Sequence, residues 1–283
     1  MNSRVPSAAP PDVRRALTVL RQPPTSAQVV LDPVTTKNGE GAPLAGWHGV
    51  HRLTQAPFVT RLATAYSAGL DTPHLAVGGA CGLQHYAGRF VLATIGAWVQ
   101  TGHLLDLAHD RWQVRLDADG HTTGVAPPVV GSRAVADPED AAHAVVGEHL
   151  GPIVAATRAA ARITERVAHG CIAASCSGAF AALHRRTPPA RQGELTRIAR
   201  SFMAAPAWRA TRPLVDLLEV EVPAGVALVH ERHVCCLIRL GRDHGACGTC
   251  PDIDPLERGR RTTAHAATAP RGTDLHLGVT HVA

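Results

Sequence analysis

Aromatic side chains are scarce in this chain: Phe, Trp and Tyr together make up 4% of 283 residues. With few rings to fill it, the core has to be built from Ala, Val and Leu. Lysine is almost missing as well. Lys37 is the one lysine among 28 basic residues, which leaves 27 arginines, a compositional bias rather than a binding signal. The net charge is +5 and the isoelectric point about 9.0. Nucleic-acid binders gather their cations on one stripe. Here arginine is spread along the chain, and the densest cluster is Arg258, Arg260 and Arg261. No nucleic-acid partner is expected. The charge suits an anionic small molecule or an acidic redox protein better.

Long apolar runs are also missing. The first 24 residues have no apolar core of secretory type. Arg14-Arg15 is followed by only five residues before Arg21, too short for a twin-arginine export segment. The most apolar stretch, Cys171 to Leu183, falls short of the roughly 20 residues that cross a bilayer and reads as a buried helix. These absences point to a cytoplasmic protein without stable membrane insertion. In that compartment a cysteine cluster more often binds metal than forms disulfides.

Two enzyme signatures are absent. Val77-Gly78-Gly79-Ala80-Cys81-Gly82 lacks the spacing of a dinucleotide-binding turn, so no nicotinamide or flavin domain is expected. His230-Glu231-Arg232-His233 is not H-E-x-x-H, which removes a zinc peptidase. His103, His109, His121, His265, His276 and His281 show no ligand spacing and read as surface, loop or tail residues.

The elements that are present predict a predominantly helical α+β fold. Residues 1–56, rich in Pro, Ser and Gly, read as a partly disordered arm with a short helix near Val13–Arg21. Phe58, Leu62, Ala63 and Tyr66 mark an amphipathic helix. Pro73 starts the next, and Gly82–Gln100 is a third, broken near Gly96. Trp112, Val114 and Leu116 alternate with polar residues before Ala118-Asp119-Gly120, which predicts a hairpin. Asp137-Pro138-Glu139-Asp140 starts a helix to about Glu148. Pro152 starts another to about Ile163, and Thr164 caps a third over Glu165–Arg186. Helices near 191–204 and 210–220 lead to a β-like stretch, Val226–Leu240. The expected organisation is an arm (1–56), a mainly helical body (57–229), a cysteine-rich segment (230–255) and a polar, flexible tail (256–283).

Four of the seven cysteines form C-C-x10-C-x2-C: Cys235, Cys236, Cys247 and Cys250. Four thiolates can hold a [2Fe–2S] cluster, two on each iron, or a tetrahedral zinc. On a flat strand, adjacent side chains point to opposite faces. Cys235 and Cys236 can serve one site only where the backbone leaves the strand. Zinc ribbons usually put two residues between paired ligands, so the adjacent pair leans toward the cluster; zinc, or free or disulfide-bonded cysteines, remain open. Cys81, Cys171 and Cys176 sit among Ala, Gly and Leu and read as small hydrophobes. Cys171 and Cys176, five apart, do not share a helix face.

The C-terminal motif resembles that of the FhuF-type siderophore-iron reductases, including Gly248 inside the C-x-x-C and Pro251 after it. Ala80–Gly102, with Arg89 at its centre, is similar to the family's segment of aromatic and small residues. His149–Ala174 is similar to its helix pair. The likeness covers roughly residues 57–255. It departs where the family's W-G-N-x-A reads His169-Gly170-Cys171-Ile172-Ala173, and where Arg239 stands near the place of an aromatic after the cysteine pair.

The resemblance implies a [2Fe–2S] cluster on Cys235, Cys236, Cys247 and Cys250, and a cytosolic activity. One electron passes to a bound Fe³⁺-siderophore, of hydroxamate type, so that Fe²⁺ is released. Fe²⁺ stands low in the divalent affinity order, so the chelate loosens after reduction. No general base or nucleophile is needed. The electron has to come from an external donor, such as a ferredoxin-like protein or a reduced flavin carrier. Arg232, His233, Arg239, Arg242 and His244 flank the thiols and are candidates for tuning the cluster or contacting an anionic chelate, with ordinary exposed cations as the plainer reading. His233 or His244 could also replace a cysteine ligand. Two other classes compete. A non-catalytic iron–sulfur regulator would need a DNA-binding segment, and Arg258-Gly259-Arg260-Arg261 is only a faint one. A zinc-stapled siderophore-binding or interaction protein would be colourless.

Overall fold

The computed structural model describes residues 11–23, 27–31, 43–128, 131–208 and 213–279. Lys37, His281 and parts of the 1–56 arm lie outside the described residues. The fold is helical α+β, as expected. In chain order the helices are α1 (Pro11–Arg21), α2 (Ala56–Gly69), α3 (Leu75–Thr101), α4 (Pro138–Ala142), α5 (Gly151–Ala161), α6 (Glu165–His184), α7 (Pro189–Ala204) and α8 (Pro255–Thr268). The strands are β1 (Gly46–Gly49), β2 (His103–Leu105), β3 (Gln113–Leu116), β4 (Thr122–Ala126), β5 (Ser132–Ala134), β6 (Val215–Val222) and β7 (Gly225–Arg232). All three small sheets are antiparallel: β1-β3-β4, β2-β5 and β6-β7.

Helix α3 is the axis of the molecule and packs against α1, α2, α5 and α6. Gly96 was expected to break it. It runs through instead, because a Cβ there would stand 2.5 Å from Leu20 Cδ1 of α1. The glycine allows a close helix crossing. The expected hairpin forms as β3-β4, with Trp112, Val114 and Leu116 buried.

Asp137 caps α4, its carboxylate accepting from the Glu139 N–H at 2.8 Å. Pro152 does not restart the chain as a separate helix. The segment His143–Leu150 winds as a π-helix that joins α4 to α5 without a break. Proline lacks the donor that an α-helical turn would use, and the wider turn absorbs that loss. Thr164 caps α6 by accepting from the Val167 N–H at 3.2 Å. Among the described residues α6 alone is long and apolar enough to cross a bilayer, and 83% of its most apolar window is buried inside the protein.

Three segments differ from expectation. Val215–Val222, overlapping the stretch expected to be a helix at 210–220, is a strand paired along its length with β7. The β-like stretch ends at Arg232, well short of Leu240. The segment from Glu257, expected to be loose, carries most of α8 and then packs on the body. Leu275, Leu277 and Val279 are buried there. The fully buried Arg186 pairs with Asp274 and donates to the Val19 carbonyl at 2.9 Å, so α6, α1 and this segment are stitched together. The arm also contributes to the core through Val13, Leu17 and Leu20 of α1. The short helix expected near Val13–Arg21 is therefore present, and it is packed into the core rather than carried on a loose arm.

Candidate metal centre

The hairpin β6-β7 delivers the chain to the cysteines. Just past β7, Val234 roots against α6 at Gly170. A Cβ on Gly170 would lie 2.5 Å from Val234 Cβ, so only glycine admits this contact. Cys235 and Cys236 follow, off the strand. Leu237 then takes a left-handed φ of +68 and leads into a short 3-10 turn, Ile238–Leu240. A left-handed residue with a side chain costs about 1–2 kcal/mol. The strand has already ended at Arg232, and this irregular stretch from His233 to Leu237 is the departure that adjacent thiols need in order to serve one site. The Leu237 N–H donates to Cys235 Sγ at 3.3 Å. The C-x-x-C closes as a turn, with the Cys250 N–H donating to the Cys247 carbonyl at 2.9 Å.

These turns bring the four cysteines together. Cys235 Sγ and Cys250 Sγ are 3.8 Å apart. The Cys236 thiol is in hydrogen-bond reach of Cys235, Cys247 and Cys81. Cys236 and Cys250 are buried, and Cys235 and Cys247 are partly exposed. The sulfurs are not gathered around one point. Cys235, Cys250 and the carboxylate of Asp252 have ligand atoms all within 4.8 Å of one another, and among the described residues no such set includes Cys236 or Cys247.

The electrostatics favour anionic sulfur. Hydrogen bonds from Cys235, Cys247 and Cys81 hold the Cys236 thiol far below its ordinary range, and nearby Arg232 adds to this against the effect of burial. The same sharing of protons, with burial, pushes Cys235, Cys247 and Cys81 up. Arg232 is 2% exposed. Its Nε donates to the Val234 carbonyl at 3.1 Å and its Nη1 to Gln84 Oε1 at 3.0 Å. Its Nη2 is buried and finds no partner among the described residues. Burial works against the charge of Arg232, but Cys236, Cys171, Cys247 and Cys235 outweigh it and raise its pKa. Arg239 is the second cation near the sulfurs. It is exposed, donates to Asp252 at 2.6 Å and reaches Cys235.

The other flanking candidates are held elsewhere. His233 pairs with Asp216 of β6 at 2.8 Å. Arg242 pairs with Asp71, just after α2, at 2.7 Å. His244 is exposed in the loop between the cysteine pairs. No described contact joins these three to a sulfur. In the basic cluster after the site, Arg260 and Arg261 share one carboxylate, Glu257, at 2.8 and 2.6 Å. Arg258 is buried, pairs with Glu231 at 3.3 Å and donates to the Pro251 and Ile253 carbonyls, which ties α8 to the cysteine loop.

Several neighbours escaped the sequence reading. Cys81 of α3 is not just a core residue, because its thiol donates to the Cys236 carbonyl at 3.5 Å. Cys171 approaches Arg232, and burial pushes its thiol up to about 12. Cys176 fits the hydrophobe reading: it is fully buried, and burial pushes its thiol up. Asp252 was not singled out. A cavity of about 370 Å³ opens against Cys81 and Cys236 between α3 and α6, with Gln84, His85 and Arg89 on its α3 wall and Tyr66 of α2 beside them. The available signal was the spacing 81, 84, 85, 89. It puts a thiol and three polar side chains on one stripe of an otherwise apolar helix. His121, read as a loop residue, belongs to this corner. Its ring lies 4.6 Å from Tyr66 and 5.5 Å from His85, and it bonds Asp117 at 3.0 Å. His109, also on a loop, stacks on the buried His149 and bonds its carbonyl at 2.8 Å.

No protein-family model matches the chain, and no curated protein matches it.

Proposed function

We propose that this chain is a cytoplasmic iron–sulfur reductase of ferric siderophores, of the kind its cysteine motif resembles. The observation that carries the reading is the convergence of Cys235, Cys236, Cys247 and Cys250 over the buried, incompletely satisfied Arg232. The donor set fits the group. A single zinc with four thiolates at about 2.3 Å needs all the sulfurs within about 4 Å of one another. The thiols here spread further: Cys235 lies beside both Cys250 and Cys236, and Cys236 also reaches Cys247. A row of four thiols wider than one tetrahedron suits a dinuclear centre.

Bound there, a [2Fe–2S] cluster supplies one-electron chemistry. The chain's own residues supply the rest. Arg232 offsets the negative charge of the thiolates from the protein side, and its free N–H can donate to sulfur. The Leu237 N–H already donates to Cys235. Hydrogen bonds and charge of this kind set the potential of such centres. Cys235 and Cys247 are partly exposed, so an external donor such as a ferredoxin-like protein or a reduced flavin carrier can approach. The ferric siderophore is the substrate, and Fe²⁺ leaves as product.

A second reading has one observation in its favour. Cys235, Cys250 and Asp252 form a compact three-ligand set that could hold a single zinc, giving a zinc-stapled binding protein. Anaerobic purification with iron, sulfide and zinc analysis separates the two. About two irons and two sulfides per chain, bleached by dithionite and recoloured by a ferric siderophore, support the reductase. One zinc and no colour overturn it.

A further inference from the structure

The cavity beside Cys236 contains a cation with no ion pair among the described residues. Arg89 projects from α3, half-buried, and its Nε is enclosed without a hydrogen-bond partner among the described residues. No ion pair to Arg89 occurs among those residues, whereas Arg239 and Arg242 on the nearby loop each pair with an aspartate. Burial depresses the Arg89 pKa, which marks a charge in poor company. A partly desolvated guanidinium in a cavity is a site for a carboxylate or similar oxyanion, which it can grip through two parallel bonds.

The surroundings narrow the ligand further. His85 is held down to about 4 by burial, with Arg89 and His121 adding to the effect, so it is neutral at pH 7. The Tyr66 hydroxyl and His85 Nδ1 share a hydrogen bond of 3.1 Å, which fixes the imidazole at the edge of the cavity. The opposite wall is Ala174, Ser175, Gly178, Ala179 and Ala182 of α6. These small side chains leave about 370 Å³, too much for an inorganic ion and enough for part of an organic chelate. The floor is Cys81 and Cys236, so an occupant touches a cysteine of the candidate metal centre.

We propose that this α3–α6 cavity is the docking site for a ferric chelate of net negative charge, with carboxylate-type oxygen donors, anchored by Arg89 and oriented by His85. The proposal rests on the reductase reading and sharpens it, because an unpaired cation selects an anionic chelate over the neutral hydroxamates that the motif's resemblance implies. In the reaction one electron leaves the reduced protein, supplied beforehand by dithionite or a ferredoxin-class donor, and Fe³⁺ in the chelate becomes Fe²⁺. No covalent bond to the protein forms.

The test uses the full chain and two redox-inert probes, gallium(III) citrate and a neutral gallium(III) trihydroxamate, measured by calorimetry. The expected result is saturable binding of the citrate complex, weakened at least tenfold in Arg89→Ala and partly restored in Arg89→Lys. The neutral complex should bind more weakly and be indifferent to Arg89. Ala182→Phe fills the cavity from the α6 side and should also abolish citrate binding, so the test survives if one variant fails to fold. Equal affinity for both probes, or citrate binding unchanged in Arg89→Ala and Ala182→Phe, would overturn the proposal.

A kinetic arm separates this proposal from the reading beneath it. Reoxidation of the reduced protein by ferric citrate should slow at least tenfold in Arg89→Ala, while reoxidation by ferricyanide stays unchanged. If ferric citrate reoxidises both proteins equally, the reductase reading stands and the docking site falls. If gallium citrate binds through Arg89 but no ferric chelate reoxidises the protein, the site stands and the reductase reading falls.

Discussion

Gly170→Ala sets two calculable effects against each other. In a helix interior, alanine is more favourable than glycine by about 1 kcal/mol. At Gly170 the new methyl would stand 2.5 Å from Val234 Cβ and 2.7 Å from Cγ1. Carbon atoms rest at about 3.5–4.0 Å, so one partner must move by about 1 Å. Overpacking of this kind costs about 1–3 kcal/mol. Steric cost exceeds propensity gain, and the net effect is a loss of up to about 2 kcal/mol. For a chain of this size each kcal/mol moves Tm by about 2–4 °C. Val234 is also the residue before Cys235, so the displacement passes to the thiols. Gly170→Ala should therefore melt several degrees lower and bind less metal per chain. Val234→Ala removes the clashing branches. The double variant should melt above the sum of the single effects, a coupling of about 1 kcal/mol or more. Calorimetric melting of the four proteins with metal analysis checks this. If Gly170→Ala raises Tm with full metal content, or if the two changes are additive, the close contact between α6 and the cysteine loop is not what places the thiols.

Other outcomes follow from the same site. Cys235→Ser and Cys250→Ser should each lose most of the bound metal, whereas Cys176→Ser should keep it and lose only stability, read by metal analysis and thermal melting. Arg232→Met keeps the stem but removes the charge. At a separation on the order of 6 Å and an effective dielectric of about 20, that charge is worth roughly 3 kcal/mol, so the midpoint of a one-electron titration should fall by on the order of 100 mV. An unchanged midpoint would show that Arg232 does not sense the bound group. Burial holds His149 at about 3, against a Leu107 hydrogen bond that raises it. The unfolded chain takes up this proton near pH 6.5, so the native state binds fewer protons between about pH 3 and 6.5. Stability from His149 is therefore present above about pH 6.5 and lost as pH falls toward 3. Denaturant titrations from pH 7 to 4 should show a steeper fall for the native protein than for His149→Gln.

Much of the molecule was legible from local rules. Asp137 and Thr164 cap helices because their side chains accept N–H groups of the first turn, a chemistry written within four residues. The β3-β4 hairpin follows from strict alternation around Trp112, Val114 and Leu116. The cysteine spacing carried its own argument: adjacent thiols require the chain to leave its strand, and it does so after Arg232, just before them. Local rules failed where a distant residue sets the outcome. Gly96 has the composition of a helix break, but its partner is Leu20, far back in the chain. Val215–Val222 could have been a helix until β7 offered it eight backbone partners. The tail has few apolar residues, and the partner of its Asp274 is Arg186, 88 residues back in the chain.

The same division runs through the site. Four ligand-type residues and the turn that joins them are local, so Cys235, Cys236, Cys247 and Cys250 could be named from spacing. Their environment comes from segments 60 to 155 residues away, which no local pattern encodes. Cys81 and Gln84 arrive on α3, and Cys171 and Gly170 on α6. Arg232 is the clearest case. In sequence it is one flanking cation among five and indistinguishable from Arg242. Folding buries Arg232 against the thiols and leaves Arg242 in solvent on Asp71, and because a charge acts strongly only where water is excluded, that difference in burial separates a tuning cation from a surface one.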